Sequence, residues 1–272
     1  MEGPSMAKLN PESLKIEAGR AAEKLGRLML NLLEASKASG VAVGVSGGLD
    51  SSTVLALAVK ALGAERVYAV AMPEHGVTST GDLEDARKLS EVLGAKFFQA
   101  EISPVVKALE QAIPVFNREN QVAWGNLKPR VRMAVLYYFA NRFNLLVAGT
   151  GNKSEILVGY FTKYGDGAAD FLPLGGLYKT QVRQLAAHLG IPGEILGKTP
   201  TAGLWPGQTD EGELGVKYEV LDLVLHGLVD LRLTPEEVAR QAGVSGSLVE
   251  KVKSRVEASL HKLRTAPILE PF

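Results

Sequence analysis

The sequence predicts an α/β fold: a doubly wound parallel sheet with helices on both faces, followed by a helical C-terminal extension. Short apolar runs alternate four times with amphipathic helical patterns, which is typical of parallel strands joined by crossover helices. The runs are continuously apolar, as expected of strands that are covered on both faces. From Gly215 onward the pattern contains only helices.

The elements follow in chain order from apolar spacing and turn residues. A helix over 12–38 comes first and ends before Ser39-Gly40. We treat 1–272 as one domain, with a loose end over 1–10, a catalytic core over 41–214 and a helical extension over 215–272. Residues 111–129, 149–177 and 198–213 show little regular pattern, and such long stretches are often functional. The strands are predicted at 41–45, 67–72, 96–102 and 145–148, and the main helices of the core at 51–62, 82–93, 130–141 and 178–189.

Composition narrows the class of protein. Lys plus Arg equals Asp plus Glu, at 30 each, so net charge provides no general attraction to nucleic acid or to anionic membranes. The chain has no cysteine, which excludes disulfides, a cysteine nucleophile and a sulfur relay. No apolar stretch is long enough to span a bilayer, and the first ten residues lack a signal-peptide core. We therefore expect a cytoplasmic protein.

The most informative segment is Ser46-Gly47-Gly48-Leu49-Asp50-Ser51-Ser52, directly after the first predicted strand. At a strand-to-helix turn, backbone N–H groups and the helix dipole favour an anion, and glycines let the backbone approach a phosphate. Asp50 would repel a phosphate unless a cation lay between them, so we predict Mg²⁺ bridging Asp50 to a polyphosphate. Turn and cap chemistry alone is the alternative interpretation.

A second polar turn, Gly149 to Glu155, follows the fourth predicted strand. Open α/β sheets bind ligands at the carboxyl ends of their strands, so the two turns are expected to face each other across a crevice. Glu155 would then supply a second carboxylate to the metal held by Asp50. The alternative is that Asn152 and Ser154 cap a helix and Glu155 complements its dipole.

The segment Gly159 to Gly167 combines three aromatic side chains with Lys163 and Asp166. Such a loop suits a flat ligand ring, although Tyr160 and Phe161 could instead anchor the loop to the core. Lys179 begins a predicted helix against the dipole preference, which an anionic ligand or simple solvation would explain.

Two further features have competing interpretations. Arg130 and Arg132 present planar guanidinium groups that suit phosphates or carboxylates, but arginines at a helix start usually mark a solvated face. Helices over 236–242 and 247–260 have the shape of a DNA-binding helix-turn-helix. The mixed charges of the second helix and the zero net charge of the chain indicate that the two helices only pack against the rest of the protein. We therefore do not expect nucleic acid to be a partner.

Together these segments resemble the NAD synthetase family, which belongs to the N-type ATP pyrophosphatases. The resemblance covers Val41 to Leu225, and its most specific part is Phe161-Thr162-Lys163-Tyr164-Gly165-Asp166-Gly167. It implies a homodimer of the adenine nucleotide α-hydrolase-like fold. It also implies ATP-dependent amidation of nicotinic acid adenine dinucleotide (deamido-NAD) with ammonia, the last step of NAD biosynthesis, releasing AMP and pyrophosphate. The matching segments are 46–52, 126–133, 149–155, 159–167 and 199–214.

The resemblance also implies roles for individual residues. Asp50 and Glu155 would bind Mg²⁺, and Asp50, Asp166 and Lys179 would be catalytic. The ATP-binding residues would be Ser46, Gly47, Gly48, Asp50, Ser51, Ser52, Thr150, Lys179 and Thr201. The deamido-NAD-binding residues would be Asn126, Arg130, Phe161, Lys163, Asp166, His261 and Lys262.

The nitrogen source and the acceptor have alternatives. Glutamine-dependent family members carry a nitrilase-like N-terminal domain with a catalytic cysteine. The forty residues before the first strand and the absence of cysteine do not fit that domain. We therefore expect free ammonia or a separate glutaminase subunit. Another ATP pyrophosphatase, GMP synthetase-like or tRNA-modifying, is the alternative, because the loop at 46–52 is shared among these families.

Overall fold

The structure, a computed structural model, describes residues 9–269; the ends of the predicted 1–272 domain, and most of the predicted loose end over 1–10, lie outside them. Within the described residues, four parallel strands form one sheet in the order β3-β2-β1-β4. Strands β2 and β3 lie on one side of β1, and β4 lies on its other side. The direction in which strands are added therefore reverses between β1 and β4. The strands are β1 (Gly40–Gly44), β2 (Val67–Ala71), β3 (Lys96–Gln99) and β4 (Leu145–Ala148).

Helices cover both faces of this sheet, which confirms the predicted fold class. Shorter turns are a π-helical turn at His226–Asp230 and 3-10 turns at Pro11–Leu14, Ala64–Arg66 and Leu260–Lys262. The helices are α1 (Ala18–Ser36), α2 (Leu49–Leu62), α3 (Thr80–Val92), α4 (Ser103–Ala112), α5 (Gln121–Gly125), α6 (Leu127–Phe143), α7 (Lys153–Val158), α8 (Lys179–His188), α9 (Gly193–Leu196), α10 (Asp210–Leu214), α11 (Tyr218–Leu225), α12 (Pro235–Ala242) and α13 (Gly246–Ser259).

The central strand β1 shows how the sheet organises the core. Val41, Ala42 and Val43 are fully buried, and successive side chains of a strand point to opposite faces. Val41 and Val43 join the apolar cluster formed with α1, α2 and α8, whereas Ala42 joins the cluster formed with α6. The sheet therefore contributes to a core on each face, and its carboxyl edge is fixed between the two.

The C-terminal extension builds a separate apolar cluster. Buried Leu221 on α11, Val238 on α12 and Val249 on α13 pack together with Val158 of α7 and Tyr178, which precedes α8. The two helices with the helix-turn-helix shape thus direct apolar side chains into this cluster, as the packing interpretation expects. Within residues 9–269, no helix is both long and apolar enough to cross a membrane.

Several predicted boundaries were wrong for local reasons. The predicted helix over 12–38 is two pieces, because Asn10 and Ser13 close a capping box around a 3-10 turn and Lys15 is extended. Helix α6 starts at Leu127 rather than 130, since Pro129 is tolerated in a first helical turn. The stretches predicted as irregular contain short helices, α5, α7 and α10, that are too short to show a period.

Candidate active site

The two predicted polar turns meet at the point where the strand order reverses. Strands β1 and β4 pair directly, Val43 opposite Ala148, so the turns that follow them lie side by side. A cavity of about 940 Å³ opens above this edge of the sheet. Such a reversal is where open α/β sheets bind ligands. The cavity is lined by these predicted site residues: Ser46, Gly48, Asp50, Ser51, Asn126, Thr150, Glu155, Phe161, Asp166, Lys179, Thr201 and Lys262.

The turn after β1 is a compact hydroxyl-rich cradle at the N-terminus of α2. The Ser46 hydroxyl lies 3.1 Å from that of Ser51 and accepts a 3.3 Å hydrogen bond from the Gly48 N–H. Gly47 has a positive φ of 76°, and a Cβ there would lie 2.1 Å from the Asp82 carbonyl oxygen. Glycine is therefore required for conformation and for space. Gly47 and Ser52 support this turn from behind and do not line the cavity.

The turn after β4 forms part of the helix cap that the alternative interpretation predicts, and it also directs Glu155 into the cavity; a metal-binding role for Glu155 stays a prediction. The Asn152 side chain accepts the Glu155 N–H at 3.1 Å, and the Glu155 carboxylate accepts the Asn152 N–H at 3.2 Å, which is a capping box for α7. The second carboxylate oxygen of Glu155 faces Lys179. Asn152 also donates to Asp50 at 3.3 Å. Ser154 is not a cap, because its hydroxyl binds Asp222 instead.

Lys179 joins the two turns. It is 3 % exposed, its Nζ forms an ion pair with Asp50, and it lies 3.4 Å from Glu155 Oε1. Burial alone would lower the pKa of the Lys179 ammonium, but the two carboxylates raise it above its ordinary value. The cation at this helix start is therefore held by protein carboxylates at the floor of the cavity.

Three carboxyl groups lie around one ammonium at the floor of the cavity, and oxygen donors of this kind suit a divalent cation. Asp50, Glu155 and buried Asp210 face the single ammonium of Lys179, and burial raises the pKa of Glu155 and of Asp210. In the part of the chain that the structure describes, no three His, Asp or Glu side chains are arranged as a complete metal site. Mg²⁺ suits this situation because it binds through one or two carboxylates together with substrate phosphates.

The loop over 159–167 forms the opposite wall and is fixed by the C-terminal turn. The Lys262 Nζ donates to the carbonyls of Gly159 at 2.7 Å and Phe161 at 2.8 Å. The Asp166 carboxylate accepts the Thr162 N–H at 2.8 Å, and it reaches solvent through the cavity. Desolvation by the cavity walls raises the pKa of the Asp166 carboxyl.

Three residues predicted for deamido-NAD lie outside this cavity. Arg130 is exposed and donates to the Lys163 carbonyl at 3.3 Å, while Lys163 Nζ donates to the His261 carbonyl at 3.0 Å. Positions two apart on a helix point in nearly opposite directions, so Arg132 rather than Arg130 enters the cavity from α6. A dinucleotide-binding role for Arg130, Lys163 and His261 stays a prediction.

Lys198 and Asp210 are among the charged residues of the cavity that were not predicted from the sequence. Lys198 donates to the Gly47 carbonyl at 2.8 Å and pairs with Asp85 at 2.7 Å, which ties the turn after β1 to α3. Asp210, at the start of α10, accepts the Tyr218 hydroxyl at 3.1 Å. Both come from a stretch without regular pattern, where only the density of polar residues signals a function.

A buried ion pair joins three walls of the cavity. Lys128, fully buried at the start of α6, lies 3.0 Å from the Glu74 carboxylate and 3.8 Å above the Trp124 ring. Its Nζ also donates to the Leu204 carbonyl in the loop before α10. The pair therefore connects α6, the segment after β2 and the loop that carries Thr201.

Glu74→Gln is expected to lower the free energy of unfolding by about 3 kcal/mol, because it leaves the Lys128 ammonium buried without its countercharge. Urea unfolding followed by circular dichroism measures this change. The matched control is Glu84→Gln, which removes an exposed pair with Lys88 and is expected to cost less than about 1 kcal/mol. Equal small losses in both variants would contradict this account of the pair.

Comparison with known proteins identifies the family. A family model described as NAD synthase matches residues 22–266, which is most of the chain. The chain belongs to the NAD synthase family. The resemblance to the NAD synthetase family is therefore confirmed. The matched residues include the turns after β1 and β4, the 159–167 loop and most of the C-terminal extension.

Curated NAD synthase relatives share up to about half of the sequence. An NH(3)-dependent NAD(+) synthetase of Pyrobaculum aerophilum is 51 % identical over 224 residues, which cover 82 % of each chain. That of Hyperthermus butylicus is 46 % identical over 260 residues, covering 96 % of this chain and 94 % of the relative. The chain thus matches relatives of its own length that are enzymes.

Two solved structures share the fold of this chain. The NMN synthetase of Francisella tularensis superposes with a TM-score of 0.83 at 35 % identity, covering 95 % of this chain and all of the neighbour. The NH3-dependent NAD synthetase of Campylobacter jejuni gives 0.79 at 30 % identity, covering 94 % and 100 %. The two names specify different products, NMN for the Francisella protein and NAD for the Campylobacter protein. A substrate assay must therefore distinguish a mononucleotide from a dinucleotide.

Proposed function

We propose that this protein is an ammonia-dependent NAD⁺ synthetase that converts deamido-NAD, ATP and ammonia into NAD, AMP and pyrophosphate. The observation that carries the proposal is the cavity where the anion-binding turn after β1 faces the aromatic and acidic loop over 159–167. One wall suits a polyphosphate, whereas the other offers the Phe161 ring to a flat ligand ring and, from α6, the Arg132 guanidinium to its carboxylate. The relatives of highest identity reported above bear the name NH(3)-dependent NAD(+) synthetase.

The two walls of the cavity would bind different substrates, ATP at the turn after β1 and deamido-NAD at the 159–167 loop. Ser46, Gly48 and Ser51, supported by Gly47 and Ser52, would hold the β- and γ-phosphates, and Thr150, Lys179 and Thr201 would contact the ATP phosphates or the ribose. Asn126, Phe161 and Lys262 would hold the nicotinate end, with Arg130, Lys163 and His261 farther out. Arg132 joins this group, because its guanidinium lines the cavity close to Asp166.

The chemistry has two steps. The nicotinate carboxylate attacks the α-phosphorus of ATP, the bond to the bridging oxygen breaks, and pyrophosphate leaves with the electron pair. Lys179 and the N-terminus of α2 stabilise the charge that develops on this leaving group. Ammonia then attacks the carbonyl carbon of the acyl-adenylate, and AMP departs with the electron pair of the broken C–O bond. The proton that the attacking nitrogen loses passes to the phosphate of the departing AMP, which leaves the amide. Asp166 binds the incoming ammonium and accepts its proton.

Asp50 and Glu155 would hold Mg²⁺, which when bound would neutralise charge on the pyrophosphate. We expect EDTA to abolish NAD formation and added Mg²⁺ to restore it, because the carboxylates would otherwise repel the triphosphate. Calorimetric titration of ATP into protein with and without Mg²⁺ measures this independently of turnover. ATP binding of equal affinity under both conditions would contradict the metal assignment.

The remaining features concern assembly and nitrogen supply. We infer a homodimer, supported by the exposed apolar ring of Tyr138 on α6, which is 68 % exposed. Free ammonia is the proposed nitrogen source, with a separate glutaminase subunit as the alternative. We place the enzyme in the cytoplasm, where its cosubstrate ATP is made and used.

The experiment that tests the proposal is an assay with Mg-ATP, ammonium chloride and either deamido-NAD or nicotinic acid mononucleotide, following AMP and the amide product. We expect NAD and AMP in equal amounts, and a higher kcat/KM for the dinucleotide. Preference for the mononucleotide would instead assign the activity named for the Francisella neighbour. AMP without either amide would move the acceptor to that of another ATP pyrophosphatase.

A further inference from the structure

A buried carboxylate outside the cavity contacts both of the elements that deliver charged groups into it. Asp222 lies on α11 of the C-terminal extension and is fully buried. One of its oxygens accepts the Ser154 hydroxyl and the other accepts the Thr180 N–H at 2.8 Å. The proposed chemistry does not use Asp222. Burial of a carboxylate is energetically costly, so its position inside the protein requires another explanation.

The partners of Asp222 are immediate chain neighbours of the charged cluster. Ser154 precedes Glu155, and Thr180 follows Lys179. The Ser154 hydroxyl also accepts the Lys179 N–H at 2.9 Å, so this one hydroxyl connects the start of α7 to the start of α8. Asp222, through Ser154, therefore fixes the backbone on which both Glu155 and Lys179 are mounted.

Electrostatics explains why a carboxylate is suited to this position. The N-termini of α7 and α8 both lie at Asp222, and a helix N-terminus carries partial positive charge on its free N–H groups. Burial raises the pKa of the Asp222 carboxyl, and the hydrogen bonds from Ser154 and Thr180 oppose that rise. A neutral apolar side chain would leave the Thr180 N–H and the Ser154 hydroxyl without acceptors.

We propose that Asp222 is a positioning residue that sets the separation of Glu155 and Lys179 and thereby the affinity of the site for Mg-ATP. The proposal rests on the proposed function, because it assigns those two side chains to the phosphate wall. It makes the C-terminal extension part of the ATP site, although none of its helices α11, α12 and α13 lines the cavity.

The test compares three variants by calorimetry, with Mg-ATP and deamido-NAD titrated separately. Asp222→Asn removes the charge and one acceptor, and Ser154→Ala removes the bridge but leaves Asp222 in place. The matched control is Glu219→Gln, one turn before Asp222 on α11. It removes an exposed 3.2 Å contact with Arg183, which lies on α8 as Thr180 does. Thermal unfolding of each variant shows that it is folded at the temperature of the titration.

Asp222→Asn and Ser154→Ala are each expected to weaken Mg-ATP binding by about tenfold, as groups that orient ligating side chains typically do. Deamido-NAD affinity is expected to change less than about twofold, because the opposite wall is untouched. In assays, the KM for ATP should rise more than the KM for deamido-NAD. Glu219→Gln should match the unmodified protein in all of these measurements.

Equal weakening of both substrates, or Mg-ATP binding unchanged in folded Asp222→Asn and Ser154→Ala, would overturn the positioning role. A failure of the proposed function itself would give a different result from a failure of the positioning role. In that case the unmodified protein itself would make no NAD, whatever the variants do. If Asp222→Asn does not fold, Ser154→Ala decides the question alone, since it removes only the bridging hydroxyl and keeps the hydrogen bond between Asp222 and the Thr180 N–H.

Discussion

Asp50→Asn is expected to lower kcat/KM for NAD formation by about 10³-fold, or about 4 kcal/mol of transition-state stabilisation. The substitution removes the ion pair with Lys179 and one of the two carboxylates assigned to Mg²⁺. Asn keeps the size of the side chain, so the turn after β1 should retain its shape. Steady-state kinetics with saturating ammonia measures the loss.

Asp230→Asn is the matched control for this prediction. Asp230 pairs with Lys153 at 2.6 Å, outside the cavity, so the variant also removes a lysine–carboxylate pair close to the start of α7. It should change kcat/KM less than about threefold, which is within the range of a modest surface interaction. A loss in Asp50→Asn no larger than that of the control would remove Asp50 from the mechanism.

Asp166→Asn is expected to separate the two steps of the reaction. Exchange of labelled pyrophosphate into ATP reports adenylation, and it should stay within about threefold, because the phosphate wall is unchanged. NAD formation should fall by about 10²–10⁴-fold, the usual contribution of a general base. Quenched-flow measurement of exchange and amidation in the same preparation tests this pair of expectations.

The pH dependence of Asp166→Asn provides a second readout. Desolvation raises the pKa of Asp166, so the carboxylate form that accepts a proton increases as pH rises through that value. In the variant this dependence should disappear, and higher pH should restore activity only by supplying more unprotonated ammonia. If exchange and amidation both survive, or are both lost, the role assigned to Asp166 is wrong.

The sequence predicted the place of the site better than its details. Strand polarity alone implies that turns after neighbouring parallel strands meet, and the pairing of β1 with β4 does bring Asp50 and Glu155 together. The sequence predicted a shared metal ion between them, whereas in the structure both carboxylates contact the Lys179 ammonium. Periodicity could not distinguish Arg130 from Arg132, because the start of α6 lies within a stretch that has no clear pattern.

Other parts of the site depend on contacts between residues far apart in the chain. Asp222 reaches Ser154 across 68 positions, and Lys198 reaches the Gly47 carbonyl across 151. A lone aspartate on an apolar helix and a lone lysine in a loop give no local signal of these partners. Asp222 is identified only once the extension is seen to pack on α7 and α8, and Lys198 only once its loop is seen against the turn after β1.

The central claim is that the substrate carboxylate is adenylated at the α-phosphorus of ATP. The most direct measurement uses deamido-NAD with ¹⁸O in both carboxylate oxygens, Mg-ATP and ammonia, followed by mass spectrometry of the products. The account predicts one ¹⁸O in each AMP and one in the amide of each NAD, since one carboxylate oxygen leaves with the adenylate. Label in orthophosphate accompanied by ADP, or AMP without label, would contradict it.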